Sequence, residues 1–311
     1  MSMMESLRKA YGEQLADSGA NDQRIVTLEA DLGKSTMSCL FQDKQPERYF
    51  QVGIAEQNMA SIAAGLALTG KVAFINSFAV FATGRAYDQI RSSIAIPRLN
   101  VKICGSSAGL SDFGDGKTHQ SIDDIALMRV LPNMTVLSPV DAVETKKMVE
   151  AMVDHDGPAY IRINRNDLPV LTDQNEPYYI GKMSRMRDGK DVVVFASGVM
   201  VSLALEAAEL LESQGISIRV VNVSTIKPLD TKALASYCEG MKGVVTAEEH
   251  SIHCGLGSAI AEALGTSRLP ITFLGINDTF GTSAKNYEEL MERYGLTSEG
   301  IVKKVHEVLE A

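Results

Sequence analysis

Short β-branched segments alternate with helical patterns along most of this chain, and this alternation is the feature that most limits its possible folds. Helical stretches such as EQNMASIAAGLALTG (56–70) separate segments that are typical of buried strands. In the first half, those strand candidates are IVTLEA (25–30), KVAFINS (71–77), NVKICGS (100–106), MTVLSP (134–139) and AYIRIN (159–164). Strands that alternate with helices form parallel sheets covered on both faces. The sequence therefore predicts a doubly wound α/β fold.

The same pattern occurs twice. A second α/β series begins at DVVVFAS (191–197), after a stretch that contains prolines and has no clean period. A chain of 311 residues also suits two domains better than one. We predict a first domain over residues 1–172, a linker over 173–189, and a smaller α/β domain over 190–311.

Charge and composition exclude several classes of protein. The chain has 30 basic and 39 acidic residues, a formal net charge of −9, and no long basic run. This argues against a nucleic acid or an anionic membrane surface as partner. There is no apolar segment typical of a signal peptide or a membrane span. The four cysteines are scattered without C-x-x-C spacing, and no set of metal ligands stands out. We therefore expect a cytoplasmic protein with reduced thiols.

The segment SDFGDGKTHQ (111–120) is similar to two phosphate-binding motifs, but its spacing fits neither. A P-loop needs a glycine where Ser111 stands and a helix directly after the motif. The next helical pattern begins only near Ser121, which we predict to be its N-cap. The metal–diphosphate motif that opens with GDG needs an asparagine some 25 to 30 residues on, whereas Asn133 lies 18 residues after Asp115. We interpret the segment as a loop with another role.

Three groups of residues could carry chemistry. Glu56 stands where a loop becomes a helix rich in Ala, Gly and Ser, so its carboxylate is either partly desolvated or a cap on a solvated turn. Phe78 and Phe81 could form a wall for a flat ring, or belong to the core. Asp115 and His119 could bind hydroxyls or shuttle a proton, or only stabilise their loop.

Together, these segments resemble one family. The sequence is similar to the C-terminal half of transketolases, in order and over nearly its full length, at VGIAEQNMA, SFAVF, GDGKTHQ, DGPAYIRINRNDLP, TIKPLD and TAEEHSIHCGLGSAIAE. It resembles 1-deoxyxylulose-5-phosphate synthase and the β subunit of 2-oxoacid dehydrogenase E1 less closely. The resemblance implies a pyrimidine-binding domain for thiamine diphosphate, followed by a transketolase-type C-terminal domain.

In full-length transketolases a diphosphate-binding domain with the GDG…N metal motif precedes these two domains, and this chain has no counterpart of it. The resemblance therefore implies one subunit of a split enzyme. The expected partner is an N-terminal subunit that binds the diphosphate and Mg²⁺ (or Ca²⁺), in an α2β2 assembly. The implied reaction moves a two-carbon ketol unit from a ketose phosphate to an aldose phosphate, as in pentose phosphate metabolism.

The resemblance also implies roles for individual residues. Glu56 matches the glutamate that hydrogen-bonds N1′ of the aminopyrimidine and thereby activates the cofactor. The implied cofactor-binding residues are Asp31, Glu56, Phe78 and Phe81. The implied substrate-binding residues are Arg8, Ser35, Asp115, His119 and Arg165. The implied catalytic residues are Glu56 and His119.

Two positions depart from the family pattern. The segment ICGSSAGLSDFGDG (103–116) is slightly longer and lacks the histidine with which many full-length enzymes bind phosphate. Gly84 stands where many of them carry a third aromatic residue. Three alternatives remain at this point: a β-type subunit of another thiamine diphosphate enzyme, a P-loop nucleotide binder, and a non-catalytic scaffold that only holds a partner.

Overall fold

A computed structural model describes residues 3–311 of the chain. The strands of the first half are β1 (Met4–Ser6), β2 (Ile25–Glu29), β3 (Tyr49–Gln51), β4 (Val72–Phe78), β5 (Val101–Ser106), β6 (Thr135–Leu137), β7 (Ala159–Arg162) and β8 (Asp167–Pro169). The α-helices of this half are α1 (Leu7–Asn21), α2 (Gly33–Thr36), α3 (Cys39–Lys44), α4 (Glu56–Leu68), α5 (Tyr87–Gln89), α6 (Asp124–Arg129) and α7 (Ala142–Asp154). Turns of π-helix flank α5, at Phe81–Arg85 and Ile90–Ala95.

The second half repeats the alternation. Its strands are β9 (Ser184–Arg187), β10 (Val192–Ala196), β11 (Ile218–Asn222), β12 (Thr225–Lys227), β13 (Gly243–Ser251) and β14 (Ile271–Ile276). Its helices are α8 (Met200–Glu212), α9 (Thr231–Cys238), α10 (Leu256–Leu264), α11 (Tyr287–Arg293) and α12 (Ser298–Leu309). Among residues 3–311, no helix combines the length and the apolar character needed to cross a membrane.

Two mostly parallel sheets form the framework. The seven-stranded sheet has the order β12-β6-β7-β5-β4-β2-β3, and only β12 runs antiparallel to its neighbour. The five-stranded sheet has the order β14-β13-β10-β11-β9, with only β9 antiparallel. Strands β2, β4 and β5 are buried along their whole length because helices cover both faces of the sheet. The predicted doubly wound α/β class is confirmed.

Two details differ from the sequence-based expectation. The predicted linker contains β9, which pairs with β11 because Met183 and Met186 pack into the second core. The helix predicted to begin at Ser121 begins at Asp124. Ser121 is not its N-cap, since its carbonyl accepts a hydrogen bond from the Gly109 N–H at 2.7 Å and is thereby held against the preceding loop.

A buried ion network joins the two halves of the chain. The Arg162 Nε of β7 lies 2.9 Å from an Asp124 carboxylate oxygen, and its Nη1 lies 3.7 Å from Glu249 of β13. All three side chains are buried. Glu249 also accepts hydrogen bonds from the Leu110 N–H at 2.7 Å and from the Asn164 Nδ2 at 3.2 Å. The junction therefore fixes both the loop that follows β5 and the loop that follows β7.

We predict that Arg162→Met lowers the free energy of unfolding by about 3–5 kcal/mol, because it leaves two buried carboxylates without a counter-ion. Urea unfolding followed by circular dichroism measures this change. The matched control is Arg187→Met, which removes an ion pair with the exposed Glu212 and should change stability by no more than about 1 kcal/mol. Equal effects of the two substitutions would contradict the assigned role of the junction.

Candidate functional site

Loops after four parallel strands meet at one edge of the seven-stranded sheet, because parallel strands bring their carboxyl ends together. The loops follow β2, β4, β5 and β7. Glu56 reaches this region from the first residue of α4. Its side chain is only 4% exposed, and its Oε1 accepts a hydrogen bond from Arg85 Nη1 at 3.0 Å. The first site residue is thus a buried carboxylate at a helix N-terminus.

Two phenylalanines form a flat apolar surface at the end of β4. The Phe78 and Phe81 rings are nearly parallel, with an interplanar angle of 18° and centroids 6.0 Å apart. The His119 ring stands edge-on to both, 6.3 Å from Phe78 and 5.3 Å from Phe81. The structure thus brings together residues from two segments that are about 40 residues apart in the sequence, the end of β4 and the loop after β5.

Arg85 bridges the carboxylate and the aromatic surface. Its guanidinium carbon lies 4.0 Å from the Phe81 ring centroid, in a cation–π contact, while the same group pairs with Glu56. The Arg85 side chain is half exposed. The Arg85 guanidinium itself thus occupies the Phe81 face and one oxygen of Glu56. Sequence reasoning missed Arg85; its position one helical turn after Phe81 was the available signal.

A pair of arginines lies beside the aromatic surface. Arg165 Nη1 pairs with the buried Asp112 carboxylate at 2.6 Å, and its guanidinium lies 6.0 Å from the Phe78 ring centroid. Arg8 Nη1 donates to the backbone carbonyl of Ser35 at 2.9 Å. Burial and the neighbouring Arg165 lower the pKa of Arg8. The two positively charged guanidinium groups repel each other, and an anion bound between them would relieve this repulsion while it accepts their N–H hydrogen bonds.

The remaining predicted residues occupy less constrained positions. Asp115 is exposed, and within residues 3–311 its carboxylate has no hydrogen-bond or ion-pair partner, so the structure does not join it to His119. His119 Nδ1 lies 3.0 Å from the Thr118 hydroxyl. Asp31 is exposed in the left-handed region, with φ at 65°, and its N–H donates to Gln51 Oε1 at 2.8 Å. The triplet Gly116–Thr118 forms a 3₁₀ turn.

Glu29, which sequence reasoning did not select, braces the loop after β2. The side chain is fully buried. Its oxygens accept hydrogen bonds, between 2.5 and 3.2 Å long, from the Ala30 and Leu32 N–H groups and from the Thr36 and Ser38 hydroxyls. Burial raises the pKa of Glu29 to about 7, although these donors oppose the shift. The brace fixes the loop that carries Asp31 and Ser35.

The outer face of α4 is open. Ile54, just before the helix, is 74% exposed and Leu68, at its end, is 73% exposed. Added side chains at Gly65 and Gly84 would meet no atom within 4 Å. A groove of about 870 Å³ lies elsewhere and is lined in part by Arg129 and Cys254. The candidate site is thus an open surface next to an uncovered helix.

Two family descriptions match the chain. The transketolase pyrimidine-binding domain matches residues 4–170, and the transketolase C-terminal domain matches residues 181–301. Together they span most of the sequence.

Individual relatives match along nearly their whole length. A putative transketolase C-terminal section from Methanocaldococcus jannaschii is 42% identical over 310 residues, which cover 98% of this chain and 97% of that protein. A 6-deoxy-6-sulfo-D-fructose transketolase subunit from a Clostridium species is 42% identical over 305 residues, 98% of this chain and 94% of that protein. A solved structure described as a split gene transketolase, inactive beta4 tetramer, has a TM-score of 0.89 and 43% identity, and covers 98% of each chain.

We predict that Glu29 makes stability depend on pH. The pKa of its carboxyl is raised in the folded chain from 4.5 to about 7, so the folded chain retains a proton that the unfolded chain has lost between those values. The free energy of unfolding should therefore fall as pH rises through this window, by up to about 1.4 kcal/mol per pH unit. Unfolding in urea at several pH values should show a shallower slope for Glu29→Gln, because Glu144 and Glu248, whose pKa values are also raised to about 7, still contribute. Parallel curves for the two proteins would contradict the assignment.

Proposed function

The chain belongs to the transketolase family, and from this premise we propose that it is the C-terminal subunit of a split, thiamine-diphosphate-dependent transketolase. The observation that carries the proposal is the meeting of a buried carboxylate, Glu56, with the parallel rings of Phe78 and Phe81 at one sheet edge. A β-type subunit of another thiamine diphosphate enzyme is not favoured, since the relatives of matching length are named as transketolase sections or subunits.

The reaction transfers a two-carbon ketol unit. The bond between C2 and C3 of a ketose breaks, the shortened aldose leaves, and the unit adds to the carbonyl carbon of an acceptor aldose, which becomes a ketose two carbons longer. When bound, thiamine diphosphate supplies the nucleophilic carbon that carries the unit between the two sugars.

The residues at the sheet edge fit the aminopyrimidine of this cofactor. Phe78 and Phe81 offer a flat apolar face, and Glu56 offers a carboxyl oxygen that can share a proton with a ring nitrogen. Arg85 stacks on Phe81 and donates to Glu56, so a flat nitrogenous ring would make the same two contacts only after the half-exposed Arg85 side chain moves aside. Burial of Glu56 excludes water from the shared proton. Asp31, on the loop braced by Glu29, is proposed to lie near the cofactor.

The donor sugar is proposed to lie beside this face. His119 is held edge-on against both phenylalanines, and its ring can hydrogen-bond a donor hydroxyl and move a proton there. Asp115 is exposed, so its carboxylate can accept from a second hydroxyl. Arg8 and Arg165, with Ser35, are proposed to hold the sugar phosphate. A sulfonated ketose is a second candidate donor, because one relative of the chain is named for such a sugar.

The chain is proposed to act with an N-terminal partner subunit in an α2β2 assembly. The exposed residues along α4, including Ile54 and Leu68, support a partner on that face. Mg²⁺ and the diphosphate are assigned to the partner; among residues 3–311 no group of three or more metal-ligating side chains occurs. The four cysteines are free thiols, which supports a cytoplasmic location.

Calorimetry with thiamine diphosphate and Mg²⁺ tests the shared site. We expect weak or absent binding to this chain alone and tight binding after it is mixed with an N-terminal transketolase subunit. Ketose phosphate donors should then be turned over by the mixture, whereas 2-oxoacid donors should not. Tight binding by the lone chain would mean that the diphosphate site lies within it, and the split-subunit proposal would fail.

We predict that Glu56→Gln lowers kcat of the reconstituted complex by about 10²- to 10⁴-fold, the usual contribution of a positioned acid–base group. Steady-state kinetics measures the loss, and gel filtration should find the assembly unchanged. The matched control is Glu212→Gln on the exposed end of α8, which should keep wild-type kcat. If Glu56→Gln were as active as this control, the assignment of Glu56 as a catalytic residue would be wrong.

A further inference from the structure

A loop of the second domain packs against the loop that carries His119. We call residues 278–284 the clamp loop and residues 112–120 the donor loop. Gln120 Nε2 donates to the backbone carbonyl of Thr282 in the clamp loop at 2.9 Å and to the Asp112 carbonyl in its own loop at 3.2 Å. The Ala284 N–H donates to the Phe113 carbonyl at 2.9 Å. Three hydrogen bonds therefore hold the base of the donor loop, and two of them come from the second domain.

The two loops also fit closely in shape. A Cβ added at Gly116 would lie 3.0 Å from the Ser283 backbone nitrogen and would overlap the Ser283 hydroxyl. A Cβ added at Gly281 would overlap the Gln120 amide and lie 3.2 Å from Leu110. Glycine is therefore required at position 116, where the Ser283 backbone is close and φ is positive, whereas a side chain at position 281 would have to displace the Gln120 amide.

The donor loop has little regular secondary structure of its own: apart from one short turn, it is closed by single backbone hydrogen bonds such as that from the Gly116 N–H to the Asp112 carbonyl at 3.3 Å. It contains Gly114 and Gly116, and Gly116 has φ at 74°. Such a segment would sample many conformations if it were not held from outside. The clamp loop is itself anchored, because the Tyr294 hydroxyl donates to the Phe280 carbonyl at 3.0 Å. The only regular element within the donor loop is the short turn Gly116–Thr118.

We propose that the clamp loop is part of the donor site, and that Gln120 is a positioning residue that sets where His119 and Asp115 stand. The C-terminal domain thereby determines donor affinity without touching the sugar. Gln120 is 4% exposed and adjacent to His119, so its amide acts on the substrate only through the loop. The inference rests on the proposed function, which assigns His119 and Asp115 to the donor sugar.

The test is steady-state kinetics on the reconstituted complex with D-xylulose 5-phosphate as donor and D-ribose 5-phosphate as acceptor. Gln120→Ala removes the side-chain amide. Gly281→Ala adds a methyl group in the second domain that pushes the same amide out of its place. Each should raise the donor KM by about 3- to 10-fold, the equivalent of one or two lost hydrogen bonds, with the acceptor KM unchanged. Glu212→Gln, on the exposed end of α8 and outside both loops, is the control and should have no effect.

The double variant tests the contact itself. Since Gln120→Ala removes the amide that the methyl group added by Gly281→Ala would overlap, the double variant should have the donor KM of Gln120→Ala alone, not the product of the two effects. Hydrogen exchange gives a readout without activity: amides of residues 112–120 should exchange faster in Gln120→Ala than in wild type. Additive KM effects with unchanged exchange would overturn the clamp.

The variant His119→Ala distinguishes the assignment of the donor site from the proposal that the clamp loop sets donor affinity. If it raises the donor KM while both clamp variants leave it unchanged, the clamp is wrong and the donor site is retained. If His119→Ala leaves the donor KM unchanged, the assignment of the donor site is wrong, and the claim that the clamp sets donor affinity falls with it. Faster exchange in the donor loop of Gln120→Ala would then still show that the clamp holds the loop.

Discussion

The geometry of the site depends on one buried cation. Arg162 lies between Asp124 of the first domain and Glu249 of the second, and a buried charge is stable only while its partners remain in place. Glu249 also binds the Leu110 N–H and the Asn164 side chain. The two loops that carry His119 and Arg165 begin at these points, so the junction that joins the domains also aligns the groups proposed to bind the donor.

The groups of the candidate site stabilise one another. A buried carboxylate needs a donor, and Arg85 supplies one while it covers the Phe81 ring. Arg165 pairs with Asp112, and the charges of Asp167 and Asp112 both act on Arg8, so the arginine pair offers an anion next to the aromatic face guanidinium N–H donors rather than an excess of positive charge. The open α4 face lies on the helix that begins with Glu56. Under the proposed function, the enclosing wall of this site comes from the partner subunit.

Much of this organisation was predictable, because it follows from periodic patterns and local position. The predicted core strands occur near their predicted limits, and the carboxyl ends of parallel strands bring Phe78 and His119 together. The family and its fold class are confirmed, while the roles of the individual site residues stay proposals. Glu29, Arg85 and Gln120 were not predicted, because their importance arises from contacts between segments distant in sequence. The strand inside the predicted linker was too short to show a period.

Strand β12 has a consequence for how the protein is made. It lies in the second half of the sequence, yet it completes the first sheet by pairing with β6. Until the ribosome has released residue 227, β6 is an edge with unpaired N–H and C=O groups, which is a template for pairing with another nascent chain. Strand β12 of the second half therefore covers β6 once it has been synthesised. A first domain expressed alone would keep β6 as an unpaired edge strand and would be prone to aggregate through it.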